Sequence, residues 1–456
     1  MEPLLKLAKE DDEESSNDSY CRKDNVTYRD VLSHQATLVF TDEGHAGVGT
    51  SALNLVLSTI GVGALTLPYT TATIGWLQSL LLLVAFFLVS VYNLYLLDFV
   101  CRSPKCSNSR SYAAVVSAVL GKSGAYCLEA FMLLYSFGLS VSYMGVIGTE
   151  LAVLIPLVTG VQLPISQDDL LSIVALLVVL PLSLLPDTLL RMSGAVGTLC
   201  MILTTVIVVA MVPWEMEPPF VDACSDAYRF SKGEPGSLFL VTWHSSFVAL
   251  LSAVPMFSFC MNAATAFVSI RSEMGNLLNE PAPKDVRALI WIAQTFALLD
   301  YLVSGAAGYV SFCQGAPDNV LDGFPLSHWP SLLARLAIAL QLTCACSGVY
   351  IPLARAALTH LIKGLDSGAP EGMRRIISTV LLVFLMVVVA RLLHGALALP
   401  LGLTSAICTT AIMFVFPGLC AFTLKSKSNW SKVLPLLFAA TGFVIGTAST
   451  VTLLTT

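Results

Sequence analysis

The sequence predicts an all-α polytopic membrane protein of about eleven transmembrane helices, the first and sixth of them broken. Three observations predict it. Of 456 residues, 56% are hydrophobic and only 12% are charged, with a mean hydropathy of +0.79, whereas soluble domains carry about 25% charged residues. Apolar stretches long enough to cross a ~30 Å hydrocarbon core, about 20 residues each, recur along nearly the whole chain. Two of them, five spans apart, are interrupted by glycine, proline and polar residues at a depth where every backbone polar group must find a partner.

In chain order, residues 1–46 are polar and acidic. They have no basic region ahead of an apolar one, so they read as a flexible cytosolic tail and not as a secretory leader. The membrane domain, 47–456, follows with spans at 47–73, 75–100, 125–157, 169–186, 191–213, 243–270, 286–312, 331–361, 374–394, 397–424 and 432–454. The third and eighth are long enough to tilt or to extend beyond the bilayer. The net charge of -6 owes most to the acidic run Glu10–Glu14, and no basic cluster suggests a nucleic-acid partner. The expected partners are the lipid bilayer and a small molecule, with the chain acting as a monomer.

Basic residues set the orientation, because basic loops stay in the cytosol. Alternate connections hold Arg102, Lys105, Arg110 and Lys122, then Arg191, then Arg271, Lys284 and Arg287, then Arg355, Lys363, Arg374 and Arg375, and finally Lys425, Lys427 and Lys432. The intervening connections hold Arg229, Lys232 and Arg391, which is fifteen basic residues against three. The N-terminus is therefore expected in the cytosol and the C-terminus outside or in a lumen. The sequons at Asn17, Asn25 and Asn429 all fall on the cytosolic side, so none should be glycosylated. Cys224 and Cys313 fall in outer loops, where a disulfide between them is expected.

The first interruption lies at Ile60–Leu65. Gly61 and Gly63 weaken the helix, and Pro68 lacks an N–H and crowds the carbonyl of residue 64. An unwound stretch at this depth leaves N–H groups for a carboxylate and carbonyls for a cation. Close packing of helices is the competing use of such glycines. The second interruption, Pro255–Asn262, places a proline, Ser258 and Asn262 in mid-span. A break five spans after the first fits an inverted repeat, 47–213 and 243–424, with the helix at 432–454 outside it.

The same residues resemble a known family. LNLVLSTIGVGALTLPY is similar to FNLxNxxxGxGxLGLPY of the amino acid/auxin permease family, which includes sodium-coupled neutral amino acid transporters and vacuolar amino acid transporters. PMFSFCMNAATAFVSIRSEM resembles the family's PxxxFAFxCHxxxxxIYxEL, and GAAGYVSF at Gly305–Phe312 resembles xxxGYxxFG. LPLGLTSAICTTAIMFVFPGL resembles the pattern of the tenth span. The resemblance implies a LeuT-like fold with a 5+5 inverted repeat and alternating access to an amino-acid site. Carried onto the matching positions, Ile60, Gly61, Val62, Gly63 and Ala64 would cradle the substrate carboxylate. Phe257, Ser258, Phe259 and Asn262 would face its amine and side chain. No cofactor or metal is implied beyond a coupling ion, H+ or Na+.

That ion stays open. Sodium-coupled members carry an asparagine where this chain has Leu57, and their eighth span supplies a hydroxyl at a position matched here by either Thr343 or Ala345. Losing an oxygen ligand weakens a site for a small hard cation. Intramembrane acids are the other coupling candidates, since a charge at the bilayer centre costs ~3 kcal/mol or more. Asp300 lies midway along the seventh span and reads as a proton relay or as a structural hydrogen-bonding group. Glu150, near the outer end of the third span, reads as a gate or as a solvated anchor. Arg335 and Arg391 are expected to snorkel to water, and Asp98 and Glu129 to anchor the cytosolic ends. His244, His360 and His394 belong to different spans, and neither metal-ligand spacing nor a phosphate loop points to an enzyme. Rings of charge that would mark a channel are also missing. The chain is thus expected to be a secondary transporter of a zwitterionic, neutral amino acid in the plasma membrane or a vacuolar or lysosomal membrane. A transporter-like sensor and a facilitative exchanger are the alternatives.

Overall fold

The computed structural model describes residues 47–106, 109–160, 166–185, 187–211, 246–274, 281–312, 315–326, 328–362, 371–393, 398–424 and 429–455. The expected tail at 1–46, Cys224, His244, Cys313 and His394 lie outside the described residues. The described cysteines, Cys260, Cys344 and Cys346 among them, are not in disulfides.

Among the described residues the regular structure is helical. The first span is α1 (Val48–Thr59) and α2 (Gly63–Ile74), followed by α3 (Trp76–Cys101) and α4 (Tyr112–Thr159). The fourth span, α5, runs Gln167–Val174, Ala175–Val179 and Leu180–Ser183, and the fifth is α6 (Asp187–Ala210). The sixth span is α7 (Phe247–Cys260) and α8 (Ala264–Met274), then come α9 (Pro283–Phe312) and α10, which runs Trp329–Ala345, Cys346–Tyr350 and Ile351–Leu361. The last are α11 (Glu371–Leu392), α12 from Ala398 to Leu424, and α13 (Asn429–Thr455). Eight helices among the described residues are long and apolar enough to cross a membrane when the sixth span is taken whole. The first span is not among the eight because its break leaves two pieces of 12 residues each. The fourth and fifth expected spans fall on α5, cut by a π turn, and on α6, whose apolar stretch is Leu199–Ala210.

Three expectations need correction. The stretch before the third span is partly helical: a first piece of α4 begins at Tyr112, where the Ser111 hydroxyl accepts from the Ala114 N–H at 3.2 Å, and the chain leaves helical geometry at Gly121, with φ 77°, before the long piece that carries the third span. Only glycine takes that backbone freely. Arg102 to Lys122 is therefore not one loop. The Tyr112 hydroxyl, fully buried, donates to the Ile412 carbonyl at 2.8 Å in α12. Next, several basic residues assigned to loops are inside the protein. Arg271 pairs with Asp98 at 2.7 Å, and Asp98 also holds Arg102 at 2.9 Å. Arg355 donates to Thr379 Oγ1 at 3.2 Å.

The last correction concerns Glu150 and Arg335, which neither snorkel nor sit in water. They are 0% and 3% exposed. Arg335 Nη1 meets Glu150 Oε2 at 2.7 Å and Asp322 Oδ1 at 3.2 Å, and its Nη2 donates to the Leu321 carbonyl at 2.6 Å. Asn319 Nδ2 donates to the other Glu150 oxygen at 2.6 Å. The cluster ties α4 and α10 to the short helix Val320–Gly323, which also packs on Phe312 through Phe324, with ring centroids 4.9 Å apart. Burial holds the Asp322 carboxyl above its usual range, and Arg335 opposes that shift. Arg391 is exposed as expected, paired with Asp169 at 3.0 Å.

Runs of π-helix interrupt α5 at Ala175–Val179, α10 at Cys346–Tyr350 and α12 at both Ser405–Thr409 and Ala411–Val415. Such turns concentrate at functional sites.

Candidate functional site

The two breaks lie where the first and sixth spans touch. α1 ends when Ile60 turns extended, with ψ 122°. α2 resumes at Gly63, where Ala64 N–H reaches Gly61 O at 3.1 Å and Leu65 N–H reaches Val62 O at 2.9 Å. The gap is Ile60–Val62, shorter than expected, and Pro68 lies inside α2. A Cβ on Gly308 would sit 2.3 Å from the Pro68 ring, so α9 closes onto the proline and the helix continues. The sixth span behaves in the same way. Pro255 is inside α7, and the chain leaves the helix only at Met261–Ala263. There Asn262 Oδ1 accepts from Ala264 N–H at 3.2 Å and caps α8, while Ser90 in α3 donates to Met261 O at 2.7 Å.

Gly63 is the contact point. A Cβ there would lie 2.6 Å from Cys260 Sγ and 3.4 Å from the Phe259 ring. Thr66, one turn on, donates to Met256 Sδ at 3.2 Å. Gly61 has more room, its nearest neighbour being the Tyr143 hydroxyl at 3.9 Å.

The backbone of the gap is held from the seventh span. Tyr301, 0% exposed, donates its hydroxyl to Thr59 O at 2.8 Å and accepts from Gly61 N–H at 3.1 Å. It thereby satisfies one of the carbonyls that end α1 and one of the N–H groups that precede α2. The Gly61 N–H is thus already engaged. The N–H groups of Val62 and Gly63 have no protein partner among the described residues, and they stand at the positive end of the α2 dipole. Replacing Tyr301 with Phe orphans two buried backbone groups, each worth ~1–3 kcal/mol. The expected result is a loss of about 2–3 kcal/mol of stability, read as a lower unfolding temperature in detergent; an unchanged unfolding temperature would remove Tyr301 from this role.

Of the residues singled out in the sequence, Gly63 comes together with Phe259, Gly61 and Val62 form the gap beside it, and Asn262 caps α8 at the sixth-span break. Ile60 and Ala64 flank the gap. Phe257 is buried, and Ser258 donates within its own helix to Pro255 O at 2.8 Å. Asp300 follows them closely. It neighbours Cys260 and the Thr205 hydroxyl and precedes Tyr301, and its Oδ2 is buried without a partner among the described residues. Thr343 is buried, and its hydroxyl donates to Ala339 O at 2.7 Å within α10. Glu150 belongs to the ion cluster described above and not to the breaks.

The aromatic wall was missed. Tyr143 on α4 meets Tyr350 on α10 edge-on at 5.4 Å, and Tyr135 meets Tyr350 at 6.3 Å. The available signal was a phenol in mid-span, which needs a polar partner in an apolar surround.

A family model described as transmembrane amino acid transporter protein matches residues 44–455. A putative sodium-coupled neutral amino acid transporter 11 of Danio rerio is 23% identical over 393 residues, covering 85% of this chain and 81% of the relative. Sodium-coupled neutral amino acid transporter 7 of Homo sapiens is 24% identical over 401 residues, covering 84% and 80%. Among solved structures, a Na+-coupled sialic acid symporter in a substrate-bound outward-open state aligns over 95% of this chain and 94% of its own, with TM-score 0.50 and 14% identity. That likeness shows a shared fold, in agreement with the LeuT-like architecture expected from the sequence.

Proposed function

Since the chain belongs to the family of transmembrane amino acid transporter proteins, we propose that it carries a neutral amino acid across a membrane by alternating access, driven by a proton gradient. Membership makes it a multi-pass membrane transporter and not an enzyme. The observation that carries the substrate reading is the pair of N–H groups at Val62 and Gly63, without a protein partner among the described residues, in a gap whose Gly63 abuts Cys260 and Phe259 of the sixth span. A carboxylate there would take both and complete the α2 N-terminus. The amine and side chain would then lie toward Phe259, Asn262 and the tyrosines.

Coupling is assigned to Asp300. An acid with a buried unpaired oxygen beside Cys260 and Tyr301 touches the groups that shape the break. Taking up a proton removes its charge, and its loss restores a charge that the apolar surround opposes. Sodium is the second reading, supported by the likeness to sodium-coupled neutral amino acid transporters; Leu57 speaks against it. In proteoliposomes, uptake of neutral amino acids should be saturable and stimulated by an inward proton gradient, and Asp300→Asn should abolish the stimulation while leaving counterflow exchange. Stimulation by sodium alone would overturn the proton assignment. Saturable uptake of no amino acid would overturn transport itself.

A further inference from the structure

Gln294 on α9 and Asn93 on α3 are both 0% exposed, and both ends of each amide are without a hydrogen-bond partner among the described residues. No other amide among those residues is buried and unpaired at both ends. A buried polar atom left unmade is costly, and native structures rarely keep one without a reason. Asn54 on α1 and Ser269 on α8, each 3% exposed, add an amide oxygen and a hydroxyl in the same condition.

The helices bring these groups to one space. α9 packs on α1 and α3, and α8 packs on the same two, so the four close a ring. Gln294 lies two turns before Tyr301 and shares its face of α9, the face that reaches Thr59 and Gly61 at the end of α1. Asn93 lies one turn beyond Ser90, whose hydroxyl binds Met261 O just ahead of α8. All four side chains stand on the side of the breaks from which α1 enters, the side expected in the cytosol. Asp300 stands at the other end of the ring, next to Tyr301 in the chain and to Cys260 in space. We infer that the ring encloses a file of buried waters that carries protons between Asp300 and the cytosolic side; the inference rests on the proton coupling proposed above. The amino-acid site borders Tyr143 on α4, a helix outside the ring, so the file is separate from the path of the substrate.

Water is the ligand that fits these groups. It donates and accepts, and so pairs with both ends of an amide, whereas a cation would satisfy the oxygens and strand the NH2 groups. Gln294 and Asp300 are separated by about 9 Å along α9, room for about three waters spaced ~2.8 Å apart. Asp300 gives its proton to the first water, each water passes one on, and the last releases one to the aqueous side. The carboxylate is left charged, and no other bond changes. The charged groups nearest the cytosolic end, Asp98 on α3 and Arg271 on α8, are paired at 2.7 Å, with Arg102 also on Asp98 at 2.9 Å.

The readout is the ratio of proton-driven uptake to counterflow exchange of the same labelled neutral amino acid, since exchange needs no net proton movement. In proteoliposomes holding the full chain, Gln294→Leu with Asn93→Leu puts apolar groups where the waters would stand. This pair should lower the ratio about tenfold or more, and proton entry read by an entrapped pH dye should fall with it. A merely structural role would lower uptake and exchange together and leave the ratio unchanged. Gln294→Met alone, close in length and without either polar end, should lower the same ratio and decides the matter if the double variant does not reach the membrane. A ratio that survives these substitutions overturns the water file. Absence of any proton stimulation in the unaltered protein would instead overturn the coupling proposal on which the file rests.

Discussion

Gly63→Ala is expected to reduce uptake by about 10- to 100-fold at normal membrane abundance, while Gly61→Ala should retain more than about one-fifth of it. The two glycines look equivalent in the motif, and the structure separates them. At Gly63 the new methyl carbon would lie 2.6 Å from Cys260 Sγ and 3.4 Å from the Phe259 ring. Cys260 is fully buried beside Tyr301, so its sulfur has little room to turn away. Overpacking of this kind costs ~1–3 kcal/mol, and here the displacement falls on the N–H groups that would hold the carboxylate. At Gly61 the methyl would meet the Tyr143 hydroxyl at an ordinary 3.9 Å. The control is the double variant Gly63→Ala/Cys260→Ala. Removing the sulfur should restore at least part of the uptake, because the two sites are in contact and their effects should couple. Equal loss in the two glycine variants, with no rescue, would show that Gly63 acts through something other than this contact.

Glu150→Ala should have the largest effect on stability, about 3–5 kcal/mol, because it leaves the buried Arg335 guanidinium with its principal counter-charge gone. Asp322 at 3.2 Å is half exposed and replaces Glu150 only in part. Asn319 also loses its acceptor, so the short helix Val320–Gly323 should loosen together with the α4–α10 contact. Thermal unfolding in detergent would register the loss, and limited proteolysis within residues 315–326 would register the loosening. Replacing both Glu150 and Arg335 with leucine should be milder than either single alanine variant, since no charge is then stranded. A double variant as unstable as the single ones would place the stabilisation in packing and not in the ion pair.

The presence of two breaks was legible because the glycines of the first span and Pro255, Ser258 and Asn262 of the sixth recur five spans apart, as an inverted repeat requires. Their positions were less so. Pro68 and Pro255 read as helix breakers, yet each lies within a helix, because neighbouring spans re-satisfy or cover freed backbone in a packed bundle. The residues that hold the site are far away in sequence. Tyr301 binds Gly61 across 240 positions, and Arg335 meets Glu150 across 185. No local pattern marks such a pair. The tenth-span motif matched by residue type, whereas its double π segment leaves no signature in hydropathy. The start of α4 was missed because residues 112–120 lie between basic residues, and charge was read as loop.

The π segments act as frameshifts in the geometry of their helices. Each inserts one residue into a turn, and every side chain beyond it is rotated by about 100° from where a regular helix would put it. Through α12 two such insertions follow one another, so Phe416–Leu424 is offset by about 200° from the count that begins at Ala398. Counting by threes and fours across Ser405–Val415 therefore moves lipid-facing positions to the interior and interior ones to the lipid. In α10 the insertion starts at Cys346, immediately after the Thr343–Ala345 stretch where the motif leaves the register undecided. An alignment of α10 or α12 to a relative without the extra residues needs a gap inside the membrane, at the positions where alignment by eye is least inclined to place one.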